Sequence, residues 1–228
     1  RESHLHSDSG IFTLEECRLT GAEEGIRLGG KARASLADCC IRRAGQAGMR
    51  LREESSAALS GVRLEENVSG ILLEDGARFQ ARGGALACNS GQGVLLRGKA
   101  SALLEGAAVS GNGEAGLFAA EDSSLRLVDC AIAEHPLVGL RAIQHAKVEM
   151  RGGACERNGT GMAVAEDASL TLLSSQVRGN RGHGVWLTDR AGSAVRDAGF
   201  HANGDNGLFA EGDCRAALAG CVFAAHER

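Results

Sequence analysis

Apolar residues recur along this chain on two scales. Over short distances they alternate with polar ones every second position, as in "SLRLVDCAI" at 124–132, which is the period of a β-strand with one face buried. Over longer distances the whole pattern returns every 22 or 23 residues. Gly25, Gly48, Gly70, Gly93, Gly116, Gly139, Gly161, Gly184 and Gly207 each open a similar phrase, among them "GIRLGG", "GILLED", "GVLLRG" and "GVWLTD". Ser3 stands where an earlier copy would have its glycine, which makes ten copies. A period this regular is the mark of a repeat architecture.

Counting offsets from each glycine aligns the copies position by position. Offset +11 reads Leu14, Leu36, Leu59, Ala81, Leu104, Leu127, Met150, Leu172, Val195 and Leu218; offset +16 is equally apolar, from Leu19 and Ile41 to Phe200 and Phe223. The inward positions of a copy fall two apart, at +1 and +3, at +7, +9 and +11, and at +14 and +16. This predicts three short strands and three turns per copy, with no helical phase. One such coil cannot bury its inner face alone, so equivalent positions must stack at about 4.8 Å, giving an all-β parallel β-helix of about ten coils. A second column agrees with this register. Offset +19 holds Asn67, Asn89, Asn112, Asn158, Asn180 and Asn203, with His135 and His226 in two other copies. Asn tolerates left-handed backbone and can bond turn amides, so the column predicts a ladder at one sharp corner.

On these columns the sequence from Ser3 to Phe223 resembles the right-handed parallel β-helix, or pectin-lyase-like, superfamily in its generic short-coil form. The resemblance implies a single solenoid domain over residues 1–228, expected to be a fragment of a larger protein. It leaves function open, because this fold carries polysaccharide lyases, hydrolases, epimerases, phage tailspikes and noncatalytic protein-binding domains.

Composition narrows the classes. The chain has 33 Gly, one Pro and no Tyr, so its core must be aliphatic. A net charge of −4 argues against a general nucleic-acid or anionic-membrane footprint. The eight cysteines include no CxxC. Cys17, Cys39, Cys130 and Cys221 share inward offset +14, whereas Cys40, next to Cys39, points outward, so the vicinal pair cannot hold one metal ion. They read as small core residues; neither metal nor cofactor is expected, and reduced thiols suggest an intracellular setting.

With the inside filled, function falls to the outward columns. Offset +2 should be polar, yet it carries Leu72, Leu95, Phe118, Trp186 and Phe209, with Arg50 before them and Arg141 and Ala163 between Phe118 and Trp186. Such a stripe marks a contact surface. The expected role is noncatalytic: a protein-interaction or scaffold domain with a protein partner at the stripe and Arg50 and Arg141 as polar anchors. The alternatives are a carbohydrate-binding or polysaccharide-modifying protein using the same face, and a structural spacer. Open strand edges also predict end-to-end self-association. The neighbouring column Arg52, Glu74 and Arg97 reads as a surface salt ladder, and the acidic row that includes Glu53, Asp75, Glu121, Glu166 and Asp189 as turn chemistry. No coil pairs carboxylates with a base on the stripe face, and His183 reads as a solvated turn residue.

Overall fold

The computed structural model describes residues 3–225, which form one continuous solenoid of three parallel ten-stranded sheets. Every coil gives one strand to each sheet. In the sixth coil these are Ala115–Ala119 in the first sheet, Ser124–Val128 in the second and Ala131–Ala133 in the third. Each strand pairs with its counterpart one coil on, so Leu117 lies beside Leu140, Leu127 beside Met150 and Ile132 beside Cys155. The inward columns therefore stack without slippage into a single core that includes Ile26, Leu51, Leu104 and Leu117. The predicted fold class, three strands per coil and inner columns are those observed. Cys39 and Cys130 sit in that core while Cys40 faces the other way, and all eight cysteines are free.

The chain turns three corners per coil, and nearly every corner uses a residue with positive φ at the same offset. At +5 these include Glu53, Asp75, Glu121, Glu166 and Asp189; at +13 they include Asp38, Asp129 and Asp197; at +18 they include Arg43, Glu66, Arg157 and Ala202. The acids at +5 do more than tolerate the turn. Glu53 accepts the Gly30 N–H at 2.6 Å, Glu121 the Gly98 N–H at 2.8 Å and Asp189 the Glu166 N–H at 3.1 Å, each from the preceding coil. The acidic row is thus a backbone-binding ladder, as turn chemistry requires.

The corner between the third and first sheets is buried, so its amides cannot rely on water. Here Asn67 Oδ1 accepts the Ala44 N–H, and Asn89 Oδ1 accepts the Asn67 N–H, both at 3.0 Å, while each side-chain amide donates to the +16 carbonyl one coil back. His135 occupies one rung and reproduces both bonds. Its Nδ1 accepts the Asn112 N–H at 3.0 Å and its Nε2–H donates to the Val109 carbonyl at 3.1 Å, which fixes the neutral tautomer. His226, the other histidine expected in this column, lies outside the described residues.

The repeat's glycines belong to the same corner. A Cβ added to Gly139 would stand 2.7 Å from the Gly161 carbonyl oxygen, 2.8 Å from Asn158 Nδ2 and 2.9 Å from Cys155 Sγ. Backbone φ is not the reason for this glycine; the approach of the next coil is. Gly139→Ala should therefore cost about 3 kcal/mol, since the nearest atom is a backbone carbonyl that cannot yield and the two side chains beside it are held in the core and the ladder. Gly192→Ala, where a Cβ meets nothing within 4 Å, should stay within about 0.5 kcal/mol of the parent. Denaturant midpoints compare the two.

His135 gives a pH dependence with a definite sign. Burial pushes its pKa below the usual histidine value, against the opposing pull of the Asn112 and Val109 carbonyls. The unfolded chain then binds a proton that the folded chain refuses, so this stability is present above about pH 6.5 and lost as the pH falls through the lower folded value. His135→Asn should keep the ladder and flatten the fall in unfolding midpoint between neutral and mildly acidic buffer.

Candidate functional site

Two outward faces carry chemistry. On the first sheet, register aligns Arg50, Leu72, Leu95, Phe118, Arg141, Ala163, Trp186 and Phe209 in one column. The column is less exposed than its composition suggests. Leu95, in register between Leu72 and Phe118, keeps only 7% of its surface; Leu72, Phe118 and Phe209 are half-buried, and of the large apolar side chains in the column Trp186 is the exposed one, at 37%. Large neighbours one coil apart cover one another.

The two arginines of the stripe have separate roles. Arg50 is held between Glu24 at 3.0 Å and Glu74 at 2.9 Å, and Arg52 adds a contact to Glu74 at 3.1 Å. Burial alone would lower the Arg50 pKa, but these two carboxylates outweigh it and raise it. Glu24 is itself buried, so Arg50 is structural and is not free to anchor a partner. Arg97, expected in the same salt ladder, has no carboxylate partner among the described residues. Arg141 is exposed, lies over the Phe118 ring at 5.4 Å and likewise lacks a carboxylate partner.

Toward the C-terminal coils the stripe is interrupted. Ala163 lies in register between Arg141 and Trp186, and the missing bulk opens a notch of about 560 Å³ bordered also by Leu137, Thr160 and Thr188. The Trp186 indole N–H donates to Glu211 at 3.2 Å. His183 stacks on Phe209 with ring centroids 4.7 Å apart and lies 5.9 Å from Trp186. The expectation of a solvated turn histidine is corrected: His183 is mostly covered because aromatic rings of its own and the next coil close over it. Its Nδ1 is 3.4 Å from the Asn206 N–H and 4.0 Å from Asp205.

The second sheet presents the other face. Its outward positions carry Arg33, Arg78, Arg82, Arg126, Lys147, Arg151, Arg196 and Arg215 against Glu15, Glu105 and Glu149. Arg82 pairs with Glu105 at 2.8 Å and Arg126 with Glu149 at 3.2 Å, while Arg151 also contacts Glu149. Arg33, Arg78, Lys147, Arg196 and Arg215 are exposed and have no carboxylate partner among the described residues. Between them the face is grooved in separate shallow stretches: one of about 430 Å³ is lined by Arg33, Ser35, Ser56, Ala58, Arg78 and Ser101 among others, and one of about 290 Å³ by Thr171, Ala194, Arg196 and Ala217 among others, with Leu103, Arg126 and Glu149 in the outward column between them. The sequence held a signal for this face: offset +8 is Arg or Lys in four copies and Ser in four others. It escapes a search for apolar stripes.

The carboxylates paired on this face are held ionised. The Arg82 hydrogen bond holds the Glu105 carboxyl below its usual range, and Arg151 with Arg126 does the same for Glu149, so neither is a proton donor near neutrality. Among the described residues no three His, Cys, Asp or Glu side chains converge as metal ligands.

These features define a right-handed β-helix with a cationic trough on one face and an aromatic-walled notch on another. The chain belongs to the family described as the right handed beta helix region, whose model matches residues 4–132 and 88–227. No curated protein sequence matches it. Among solved structures it is similar to the periplasmic alginate epimerase AlgG, with 10% identity, a TM-score of 0.64, and 99% of this chain covering 76% of that one. It is also similar to the A-module of the Azotobacter vinelandii mannuronan C-5 epimerase AlgE6, at 15% identity and a TM-score of 0.62, covering 96% of this chain and 75% of that one. Pectate lyase Pel9A follows at 12% and 0.56, covering 92% and 69%. At these identities the likeness is one of fold.

Stability separates the two stripe arginines. Arg50→Ala takes the nearer cation from the buried Glu24 carboxylate, leaving it only Arg27 at 3.7 Å, and should cost about 2 kcal/mol. Arg141→Ala should change stability by less than about 0.5 kcal/mol, because the side chain is exposed and bonded to no carboxylate. Chemical denaturation of the two variants measures both.

Proposed function

We propose that this β-helix is a noncatalytic binding protein for an acidic polysaccharide, which lies along the second-sheet trough. The observation that carries the reading is the charge of that face: eight cations against three carboxylates, five of the cations without a carboxylate partner among the described residues, in a chain of net charge −4. An arginine fork matches a carboxylate in a planar, bidentate way that an ammonium does not. Cations one to three coils apart stand about 5–15 Å from one another along the axis, which fits a polymer bearing one carboxylate per sugar and not the dense phosphates of a duplex. The one phenylalanine beneath the groove, Phe79, is buried in the core and offers no ring on which a base could stack. Three fold neighbours are named for alginate, mannuronan and pectate, all acidic polysaccharides, which agrees with this ligand class.

A protein partner along the first-sheet stripe is the second reading. Trp186 and the neighbouring Leu137, 61% exposed, favour it, but the burial of Leu95 leaves little continuous apolar surface.

Affinity electrophoresis and calorimetry against polygalacturonate, alginate and neutral dextran test the proposal. Binding to the two polyuronates that weakens steeply with salt, and none to dextran, is expected. Arg33→Ser with Arg78→Ser should weaken polyuronate binding about tenfold; serine fills the same column at Ser56 and Ser101, so the fold is kept. Equal retention of the double variant would remove the trough from the reading, and accumulation of unsaturated sugar products would replace binding by catalysis.

A further inference from the structure

We propose that the first-sheet notch at Ala163 is a separate subsite for a single uronate residue. The inference takes its ligand class from the polysaccharide reading, but it rests on different residues on a different sheet.

The notch exists because one column breaks its own rule. Offset +2 is bulky in the coils on either side, with Arg141 before and Trp186 after, and Ala163 between them leaves a gap of two coil spacings, about 9.6 Å along the axis. The walls are chemically unlike. Trp186 lines it with an indole whose Nε1–H donates to Glu211 at 3.2 Å and which packs beside the half-buried His183. Arg141 lines the other side; its guanidinium lies over Phe118 on the coil before and has no carboxylate partner among the described residues, so a turn of its long side chain brings it to a ligand in the notch. Thr160 and Thr188 line the space between and supply hydroxyls that both donate and accept. A pyranose has an apolar face for the indole and hydroxyls for the threonines, and the carboxylate of a uronate matches Arg141. A few placed polar groups on a mostly apolar surface is the ordinary make-up of a small-ligand site. A neutral sugar would leave the arginine unanswered.

The chain's sole tryptophan is a wall of this notch, so its fluorescence reports this site directly. Di- and trigalacturonate titrated into the full chain should give a saturable change in Trp186 emission. Arg141→Gln should raise the dissociation constant at least tenfold, and the methyl esters of the same oligomers should lose the response. Ala163→Leu should abolish it by filling the notch; this variant folds because the column already holds leucine at Leu72 and Leu95. A flat titration, undiminished binding by Ala163→Leu, or equal binding of the methyl esters would each overturn the proposal. The trough variant Arg33→Ser/Arg78→Ser separates the two readings. It should weaken polymer retention and leave the Trp186 titration unmoved, whereas an equal shift in both would mean that the notch is not a site of its own. If the short oligomers titrate normally and polymer retention never depended on the trough, only the trough reading falls.

Discussion

Everything in this protein depends on satisfying the backbone at one buried corner. Where the third sheet turns into the first, amide N–H groups face inward with no water to meet them, and an unpaired buried donor costs about 1–3 kcal/mol. The asparagine column solves this coil after coil, each Oδ1 taking the N–H of the coil before and each Nδ2 returning a bond to a carbonyl, as Asn158 does with the N–H of His135 and the carbonyl of Ile132. The solution leaves no room beside it. The side-chain amides and the carbonyl of the next coil press on the Cα of the following strand, so that position is glycine along almost the whole solenoid. Once Asn and Gly are fixed at a separation set by the turn, the register of the first sheet is fixed too, and with it every outward column that could meet a ligand.

The same economy of backbone bonding explains a charge distribution that net charge conceals. Carboxylates are concentrated at corners, where left-handed geometry favours short acidic side chains and the +5 acids accept N–H groups of the neighbouring coil. Arginines are concentrated on sheet faces, where long side chains can lie along the surface. Acids occupied by backbone are not available to neutralise arginines one strand away. An overall negative chain thereby displays a positive face, and the sequence-level argument from −4 against anionic partners holds for the molecule as an average and fails for its second sheet.

Column reasoning recovers whatever is repeated and misses whatever is not. The coil length, the three strands, the inward columns and the opposite facing of Cys39 and Cys40 were legible because ten copies vote on each position. The asparagine ladder was legible down to His135, whose two ring nitrogens stand in for an amide's oxygen and nitrogen. Glu24 was not, since the same position is Ala47 and Ser69 in the next two coils and a single acid has no column to announce it. Nor was the covering of Leu95, because alternation tells which side a residue faces and not how much of it its neighbours hide. His183 was misread for a related reason: its solvent is excluded by Phe209, a residue 26 positions later that becomes a neighbour only when coils stack.

In a solenoid a perfect repeat is therefore a poor place for a specific site. A uniform column presents the same groups at every coil, so a ligand could slide along it with no preferred position, which suits a polymer held by spaced charges in the trough. A defined position requires a departure from the period. Ala163 is such a departure, and it costs the fold little: the outward face carries no part of the core, and Met162 and Val164 on either side remain buried. The groups around it are drawn from three coils, with Arg141 on one, Thr160 on the next and Trp186 on the third, so no single repeat contains the site. Stacking at fixed register is what brings the three together, which ties this departure from the repeat to the corner that makes the repeat hold.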